Sequence, residues 1–335
     1  MTRTHDADTA AGARLEPDVP KTMRAAAIDR FGGPEVITMH SLPTPALDAN
    51  EVLIAVDTAG VGIWDAEMRE GAIDGEAKFP LVLGTDGSGI VVGLGATVRR
   101  FSLGDEVYSY SFLNPKGGFY AEYVAVHSEK VAPIPKSLDL EHAGAIPTTG
   151  LTALQGIENA IHLRQGESII VHGATGGVGS LAVQFAKWHG GRVLATVSSD
   201  DGVDFARRLG ADEVVNGRIE DIAAVAQRFA PKGVDAVLAL VGSEVERCID
   251  AVRKGGRVAY PNGIDPEPKK RPGIEILAYD AVAGVREFER LERAIVGSKP
   301  VIAIAQGFPL GEAARAHERL AQHHVLGKIV LRVAA

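Results

Sequence analysis

One segment near the middle of the chain limits the possible folds most strongly, because it reads as strand, glycine-rich turn and helix in direct succession. Residues 168–172 are an apolar strand, and residues 180–189 have the apolar spacing of a helix. Gly176 would let the backbone approach a pyrophosphate, and Gly179 would permit close packing of the helix on the strand. A helix that starts near Val178 would offer free N–H groups to phosphates. The segment predicts a dinucleotide site formed by Gly173, Ala174, Thr175, Gly176, Gly177, Val178 and Gly179, although Ala174 replaces the first glycine of the usual pattern.

The sequence on either side of this turn changes character twice. Residues 23–146 read as short strands broken by Gly and Pro, which predicts a barrel-like β domain. Residues 147–283 alternate strands with helices, which predicts a parallel sheet covered on both faces. The last part, residues 284–335, ends in a strand-like run over 328–333 that needs a sheet to join. We therefore expect a discontinuous first domain (23–146 and 284–335), and a disordered tail over residues 1–22.

Composition excludes several classes of function. The 335 residues carry a net charge of -8 with no dense Lys/Arg block, which argues against nucleic-acid binding. No apolar run reaches the roughly 18 residues of a membrane span, and the N-terminal residues lack the apolar stretch of a secretory signal. The single cysteine, Cys248, cannot form an internal disulfide, and we expect it to be buried in a helix. Together these features predict a cytoplasmic protein.

The end of the second strand of the alternating region bears on which nicotinamide cofactor is bound. Sites selective for NAD place Asp or Glu there to hold the ribose 2′-hydroxyl. This chain has Ser198 and Ser199 instead, and Arg218 follows on the next segment as a source of positive charge. Asp200 and Asp201, which come immediately afterwards, argue in the other direction. On balance the sequence favours NADPH over NADH.

Seven stretches in register resemble the medium-chain dehydrogenase/reductase superfamily, and the zinc-independent quinone oxidoreductases in particular. They are residues 25–34, 84–92, 118–124, 149–153, the glycine turn, 209–214 and 327–331. The resemblance implies an α/β protein in which a GroES-like catalytic domain is interrupted by a Rossmann domain, with the active site in the cleft between them. It also implies hydride transfer from NADPH to a quinone or an α,β-unsaturated carbonyl, and a homodimer or homotetramer joined through an edge strand near residues 274–282.

The resemblance also identifies where a catalytic zinc would be held in zinc-dependent relatives. Their cysteine ligand falls at Gly62, and their His-Glu pair falls at Thr85 and Asp86. The four-cysteine structural lobe is absent, and the ten histidines show no paired metal-ligand spacing. We therefore predict that no zinc is bound. Reduction of a conjugated acceptor tolerates the lack of a Lewis acid better than alcohol oxidation does.

Further site residues follow from the same resemblance. The implied cofactor contacts are Thr149 at the nicotinamide, Val241 and Gly242 beside the ribose, and Asn262 and Gly263 after the next strand. The implied acceptor pocket contains Gly62, Trp64, Asp65 and Tyr110. Tyr110 and Tyr120 are the candidate proton donors, whereas Asp65 and Asp86 are expected to organise loops.

Four positions depart from the pattern of the relatives. Gly62-Ile63 replaces the Asn-Pro of the quinone oxidoreductases, and Trp64 is either an aromatic wall of the pocket or a core or interface residue. Ile73 stands where enoyl-thioester reductases carry a tyrosine, and Gly217 stands where many NADPH-dependent relatives do. Two alternatives therefore stay open: a reductase of enoyl thioesters or other activated alkenes, and a catalytically weak NADPH-binding regulatory protein.

Overall fold

A computed structural model describes residues 12–16, 18–73 and 78–334 of the chain. The first part is built mainly of strands, because its β-branched and aromatic residues alternate between turns that contain Gly or Pro. Its elements are β1 (Arg14–Leu15), β2 (Thr22–Ile28), β3 (Ile37–Pro43), β4 (Glu51–Val61), α1 (Ile63–Glu70), β5 (Leu81–Val82), β6 (Asp86–Leu94), β7 (Glu106–Tyr110), β8 (Tyr123–His127), β9 (Val131–Pro133) and α2 (Leu140–Gly144).

The second part alternates strands and helices, and the chain then adds a short third part. The second part contains α3 (Pro147–Gln155), β10 (Ser168–His172), α4 (Gly177–Trp188), β11 (Arg192–Val197), α5 (Asp200–Arg208), β12 (Glu213–Asn216), α6 (Ile222–Phe229), β13 (Val234–Ala239), α7 (Val245–Asp250), β14 (Val252–Pro261) and β15 (Glu275–Tyr279). The third part contains α8 (Val285–Ser298), β16 (Ile304–Pro309), α9 (Ala313–Ala321) and β17 (Lys328–Arg332).

Strands from both ends of the chain form one eight-stranded sheet. Its order is β16-β17-β4-β6-β7-β9, with β1 paired to β6 and β8 paired to β4. The closing strand β17 runs antiparallel to β4, with Ile329 opposite Val61. A separate three-stranded sheet, β3-β2-β5, completes the barrel-like part. The late strand predicted from sequence therefore joins the sheet of the first part, where it buries Ile329 and Leu331 in the core.

The middle of the chain forms a six-stranded parallel sheet in the order β12-β11-β10-β13-β14-β15. Its central strand β10 is buried along its whole length, as expected for a parallel strand with helices on both faces. The helices have ordinary end signals. Ser199 caps the N-terminus of α5, and Arg207 and Arg208 in its last turn complement the helix dipole. The lone Cys248 is fully buried in α7, as the sequence predicts.

Contacts between the two parts come from α3, α8 and the segment that leads into β17. Asp86 at the start of β6 accepts a hydrogen bond from the backbone N–H of Thr148, at 2.8 Å. The ring of Phe288 on α8 packs edge-on against Tyr108 on β7, with centroids 5.0 Å apart. The N–H of Gly327 donates to the carbonyl of Thr175 at 2.8 Å. The cleft between the two sheets is therefore closed along one side by the last residues of the chain.

The expectation of a disordered tail over residues 1–22 needs correction. Much of the predicted disordered tail, residues 1–11 and 17, lies outside the described residues, but Arg14 and Leu15 pair with Leu94 and Gly93 on β6 and are therefore ordered. In the third part of the chain, Leu310–Glu312 form a 3-10 turn that precedes α9. None of the described helices is long and apolar enough to cross a membrane.

Candidate active site

The glycine turn after β10 leaves the N-terminus of α4 uncovered. Gly176 caps this helix in an extended conformation without a side-chain cap, so backbone N–H groups face outward. A β-carbon at Gly176 would have only the Gly173 carbonyl oxygen nearby, at 3.9 Å. A β-carbon at Gly179 would instead collide with that oxygen. One glycine therefore keeps a cradle open and the other permits the helix to pack on the strand, which fits the diphosphate of a dinucleotide.

A buried histidine, which the sequence reasoning missed, holds the strand ends beside this turn. His172 Nδ1 lies 2.7 Å from the Thr196 hydroxyl on β11, and its Nε2 lies 2.7 Å from the carbonyl oxygen of Ser243. Burial lowers the pKa of His172, so its imidazole is neutral and Nε2–H donates to the carbonyl. A polar residue at the end of an otherwise apolar strand was the available signal. His172 thus fixes three segments around the turn.

Thr149 and Lys328 approach the turn from its other side. The Thr149 methyl group would lie 3.0 Å from a β-carbon at Gly177, and its hydroxyl donates to the carbonyl of Ala145 at 2.9 Å. Lys328, only 6% exposed, extends from β17 so that its Cδ would lie 3.4 Å from the same β-carbon. Its Nζ would lie 3.3 Å from a β-carbon at Gly62. The family resemblance over residues 327–331 does not assign Lys328 a role, although a lysine that opens a buried strand is a usable signal.

Asp65 and Asp86 hold the backbone around Gly62. Asp65 accepts hydrogen bonds from the N–H groups of Gly62, at 2.8 Å, and Thr85, at 3.0 Å. Burial raises the pKa of Asp65 to about 7, while Lys328 and these donors act in the opposite direction. Asp86 binds Thr148 through one oxygen, and its other oxygen is buried without a hydrogen-bond partner among the described residues. Both carboxyl groups therefore organise loops.

A cavity of about 750 Å³ lies between α1, the end of β7 and the ends of β14 and β15. Trp64, Ile73, Tyr110 and Phe112 come from the barrel-like part, and Asn262 and Gly263 come from the parallel sheet. The side chain of Asn262 donates to Asp280 at 2.7 Å, and Asp280 also lines the cavity. The structure thus brings Trp64, Tyr110, Asn262 and Gly263 together. Gly62 and Asp65, which were also expected in the acceptor pocket, are buried and do not line this cavity.

The two candidate tyrosines occupy different environments. Tyr110 lines the cavity, and its pKa is raised by burial and by Asp86, Asp280 and Asp65, so its phenol is protonated at neutral pH. Tyr120 is fully buried in the barrel core, with its hydroxyl 3.1 Å from His317 Nε2. Tyr120, the second candidate proton donor, is therefore a core residue that does not line this cavity.

The remaining predicted cofactor residues follow the ends of strands β11, β12 and β13. Ser198 is exposed and Ser199 is half-buried, with the Ser199 hydroxyl occupied as the cap of α5. Arg218 is exposed, and its backbone N–H donates to the side chain of Asn216 at 3.2 Å. Val241 lies against the turn, 3.1 Å from the position of a β-carbon at Gly173, and the neighbouring Gly242 is buried. The contacts therefore place Val241 beside the turn, while Ser198 and Arg218 follow the neighbouring strands β11 and β12.

The side chains around Gly62 do not fit a zinc ion. Gly62 has no side chain, and Asp86 is the only carboxylate at the position of the relatives' His-Glu pair. Within residues 12–16, 18–73 and 78–334, no group of three or more His, Cys, Asp or Glu side chains is arranged to hold a metal. The donor set is therefore insufficient for a tetrahedral site in this cleft.

Comparisons with known proteins agree with this arrangement. Residues 48–136 match the family described as alcohol dehydrogenase GroES-like domain, and residues 177–274 match the family described as zinc-binding dehydrogenase. Mus musculus quinone oxidoreductase is 31% identical over 315 residues, covering 89% of this chain and 94% of the relative. The chloroplastic NADPH-dependent alkenal/one oxidoreductase of Arabidopsis thaliana is 29% identical, covering 98% of this chain and 84% of the relative.

Solved structures share the whole architecture. A crystal structure of an NAD-dependent alcohol dehydrogenase superimposes with a TM-score of 0.87 at 34% identity, covering 93% of this chain and 100% of that one. The Escherichia coli quinone oxidoreductase complexed with NADPH gives 0.83 at 25% identity, covering 92% and 100%. The predicted fold class, a GroES-like domain combined with a Rossmann sheet, is confirmed. The chain is an oxidoreductase of the medium-chain dehydrogenase/reductase superfamily and belongs to its quinone oxidoreductase-like group.

Proposed function

We propose that this protein uses NADPH to reduce a quinone or an α,β-unsaturated carbonyl compound without zinc. The observation that carries the proposal is the position of one cavity, walled by Trp64, Phe112 and Ile73, beside the ends of the parallel strands. Ligands of open parallel sheets bind at that edge. The names of the mouse and Arabidopsis relatives support the acceptor class, and the E. coli structure with NADPH supports the cofactor.

The chain would hold the cofactor along the turn and present one face of its nicotinamide to the cavity. The N–H groups at the start of α4 and the ammonium of Lys328 would receive the diphosphate. Thr149, against Gly177, would border the nicotinamide. When bound, NADPH supplies a hydride equivalent. The protein contributes by orienting the two reactants and by excluding water with the apolar wall.

Tyr110 is the residue that we propose to meet the acceptor oxygen. Hydride addition to the far carbon of an enone leaves negative charge on that oxygen, which must be stabilised and then protonated. The raised pKa keeps the Tyr110 phenol protonated, so it can donate a hydrogen bond to that oxygen. Asn262 and Asp280 are already paired with each other and would shape the opposite wall.

A second copy of the chain is expected at the edge of the parallel sheet. Strand β15 lies at that edge, and Leu277 and Val282 on or beside it are 43% and 56% exposed. An open edge with apolar side chains favours pairing with an identical strand. We therefore propose a homodimer or homotetramer, which light scattering of the purified protein would test.

The function is tested by binding followed by turnover. The purified protein is titrated with NADPH and with NADH by fluorescence, and quinones, enones and an enoyl-CoA are then added while the absorbance of the reduced nicotinamide is followed. We expect oxidation that depends on a quinone or enone and that persists after treatment with a zinc chelator. Fast turnover with the enoyl-CoA alone would identify a thioester reductase. Tight binding without oxidation by any acceptor would indicate a regulatory protein.

A further inference from the structure

A carboxylate and an imidazole from distant parts of the chain meet beside the end of β11. Asp201 lies in the first turn of α5, and His324 lies in the segment between α9 and β17. Their side chains approach to 3.0 Å between Oδ2 and Nε2. The His324 and Asp201 side chains are 46% and 58% exposed, so a ligand can reach both.

Two contacts place this pair next to the nucleotide-binding turn. A β-carbon at Gly202 would lie 3.3 Å from the Thr175 methyl group, so α5 begins directly against the turn. The N–H of Gly327 donates to the carbonyl of Thr175, which brings the histidine segment against the same residue. With a diphosphate on α4, the adenosine ribose of a dinucleotide lies at this end of β11. A dinucleotide bound in this way would have its ribose 2′ position on the side of the pair.

The structure changes the role expected of Ser198 and Ser199 at this strand end. The Ser199 hydroxyl caps α5 by accepting a hydrogen bond from the N–H of Gly202. Asp201 lies beside it in the same helical turn and contacts His324, so a carboxylate stands where the serines alone predicted a neutral site. An ionised carboxylate here favours a 2′-hydroxyl and repels a 2′-phosphate. A positively charged His324 would cancel that repulsion.

The other charged groups around the pair are few among the described residues. Arg319 of α9 donates to the backbone carbonyls of His323 and His324 and so fixes their loop. Asp200 accepts a hydrogen bond from the side chain of Asn216, on β12. Arg218, which follows β12, is exposed as well. The pair therefore acts beside one further carboxylate and one guanidinium, and a change in the charge of His324 changes the net charge of the group.

We propose that the Asp201–His324 pair sets the choice between NADPH and NADH, and that this choice shifts toward NADH as the pH rises. Histidine is the side chain that ordinarily changes charge between about pH 5 and 8. With His324 protonated, the pair is neutral overall and accepts the 2′-phosphate of NADPH. With His324 neutral, Asp201 leaves a net negative charge that disfavours it. This inference rests on the proposed nucleotide binding and specifies how that site selects its cofactor.

The test compares the dissociation constants of NADPH and NADH between about pH 6 and 8.5, measured by fluorescence of the wild-type protein. We expect the ratio Kd(NADPH)/Kd(NADH) to rise about fivefold over this range, since exposed charge pairs have effects of this size. H324Q should show the high-pH ratio throughout. D201N should bind NADPH more tightly than wild type at each pH but keep a pH dependence, because His324 is still present. The 2′-phosphate, whose own pKa is about 6, titrates equally in all variants, so differences between them isolate the pair.

H323Q provides a matched control. His323 lies next to His324 in the same loop and also has a positive φ, but the contact to Asp201 is made by His324. It should retain the wild-type pH dependence, and thermal unfolding of each variant checks its fold. A ratio that is independent of pH in wild type, or equal changes in H323Q and H324Q, would overturn the inference while leaving nucleotide binding intact. If neither nucleotide binds the wild-type protein, the proposed function itself fails.

Discussion

The guanidinium of Arg69 donates a hydrogen bond of 2.8 Å to Nδ1 of His317, and both side chains are buried. Because arginine can only donate, the imidazole is neutral and its Nε2–H donates to the Tyr120 hydroxyl. Burial, followed by the charge of Arg69, lowers the pKa of His317 to about 3. The contact joins α1 to α9 and thereby ties the last part of the chain to the first.

This arrangement predicts a loss of stability in acid. Between about pH 6.5 and pH 3 the unfolded chain binds a proton at this histidine and the folded protein does not, so stability is complete above that range and falls within it. At about pH 4.5 the loss should be roughly 2–3 kcal/mol relative to pH 7. Urea unfolding of wild type and H317Q at the two pH values measures it. H317Q should be less stable than wild type at pH 7, and its free energy of unfolding should decrease less at the lower pH. An equal decrease in both proteins would contradict the assignment of the acid sensitivity to His317.

Removing the Tyr110 hydroxyl should slow turnover with little effect on cofactor binding. For Y110F we expect kcat with an enone to fall by about 100-fold, in the range of a lost proton donor. The decrease should be smaller with a quinone, because the reduced quinone anion is more stable without a donor. The Kd for NADPH should be unchanged. Y123F, which removes a tyrosine hydroxyl outside the cavity, is the control. Equal kcat in Y110F and wild type would show that water donates the proton.

Two substitutions in the glycine turn should separate binding from folding. In G176A the new methyl group enters open space, and the extended backbone of Gly176 is accessible to alanine. The stability should therefore be kept or improved slightly. The affinity for NADPH should fall at least about tenfold, because the methyl group occupies the space of the diphosphate. In G179A the methyl group collides with the Gly173 carbonyl oxygen, and we expect a cost of about 1–3 kcal/mol in the free energy of unfolding. Thermal melts and fluorescence titrations measure both. Full nucleotide affinity in G176A would mean that the diphosphate lies elsewhere.

Lys328 should contribute to the affinity for NADPH and NADH equally, because both carry the same diphosphate. K328M keeps most of the side-chain volume and should weaken each by about tenfold, the usual size for a charge-assisted hydrogen bond. Wild-type affinity should also decrease with salt more steeply than that of the variant. K187M, at the other end of α4, removes an equal charge far from the turn and should bind both nucleotides normally. Loss of NADPH binding alone would assign Lys328 to the 2′-phosphate instead.

The order of the elements and the glycine turn could be predicted from sequence because their signals are local. Alternation with period two, apolar helical spacing and glycine position all lie within short windows, and the predicted strand over residues 168–172 coincides with β10. The return of β17 to the first sheet was also predictable, since an isolated strand needs a partner. The contacts of Lys328 with the turn and of His324 with Asp201 were not, because each joins residues far apart in the chain.

The sequence by itself determined the fold class, the location of the nucleotide turn and the absence of cysteine and histidine at the positions of a catalytic zinc site. Only the tertiary structure decided which tyrosine lines the cavity and which side chain pairs with Asp201 at the end of β11. Tyr110 ends β7 and Tyr120 lies in the bend before β8, and the packing of the barrel places one beside the cavity and the other in the core. Likewise, Asp201 and Ser199 are close in sequence, but the net charge beside them also depends on His324, which only folding brings next to Asp201.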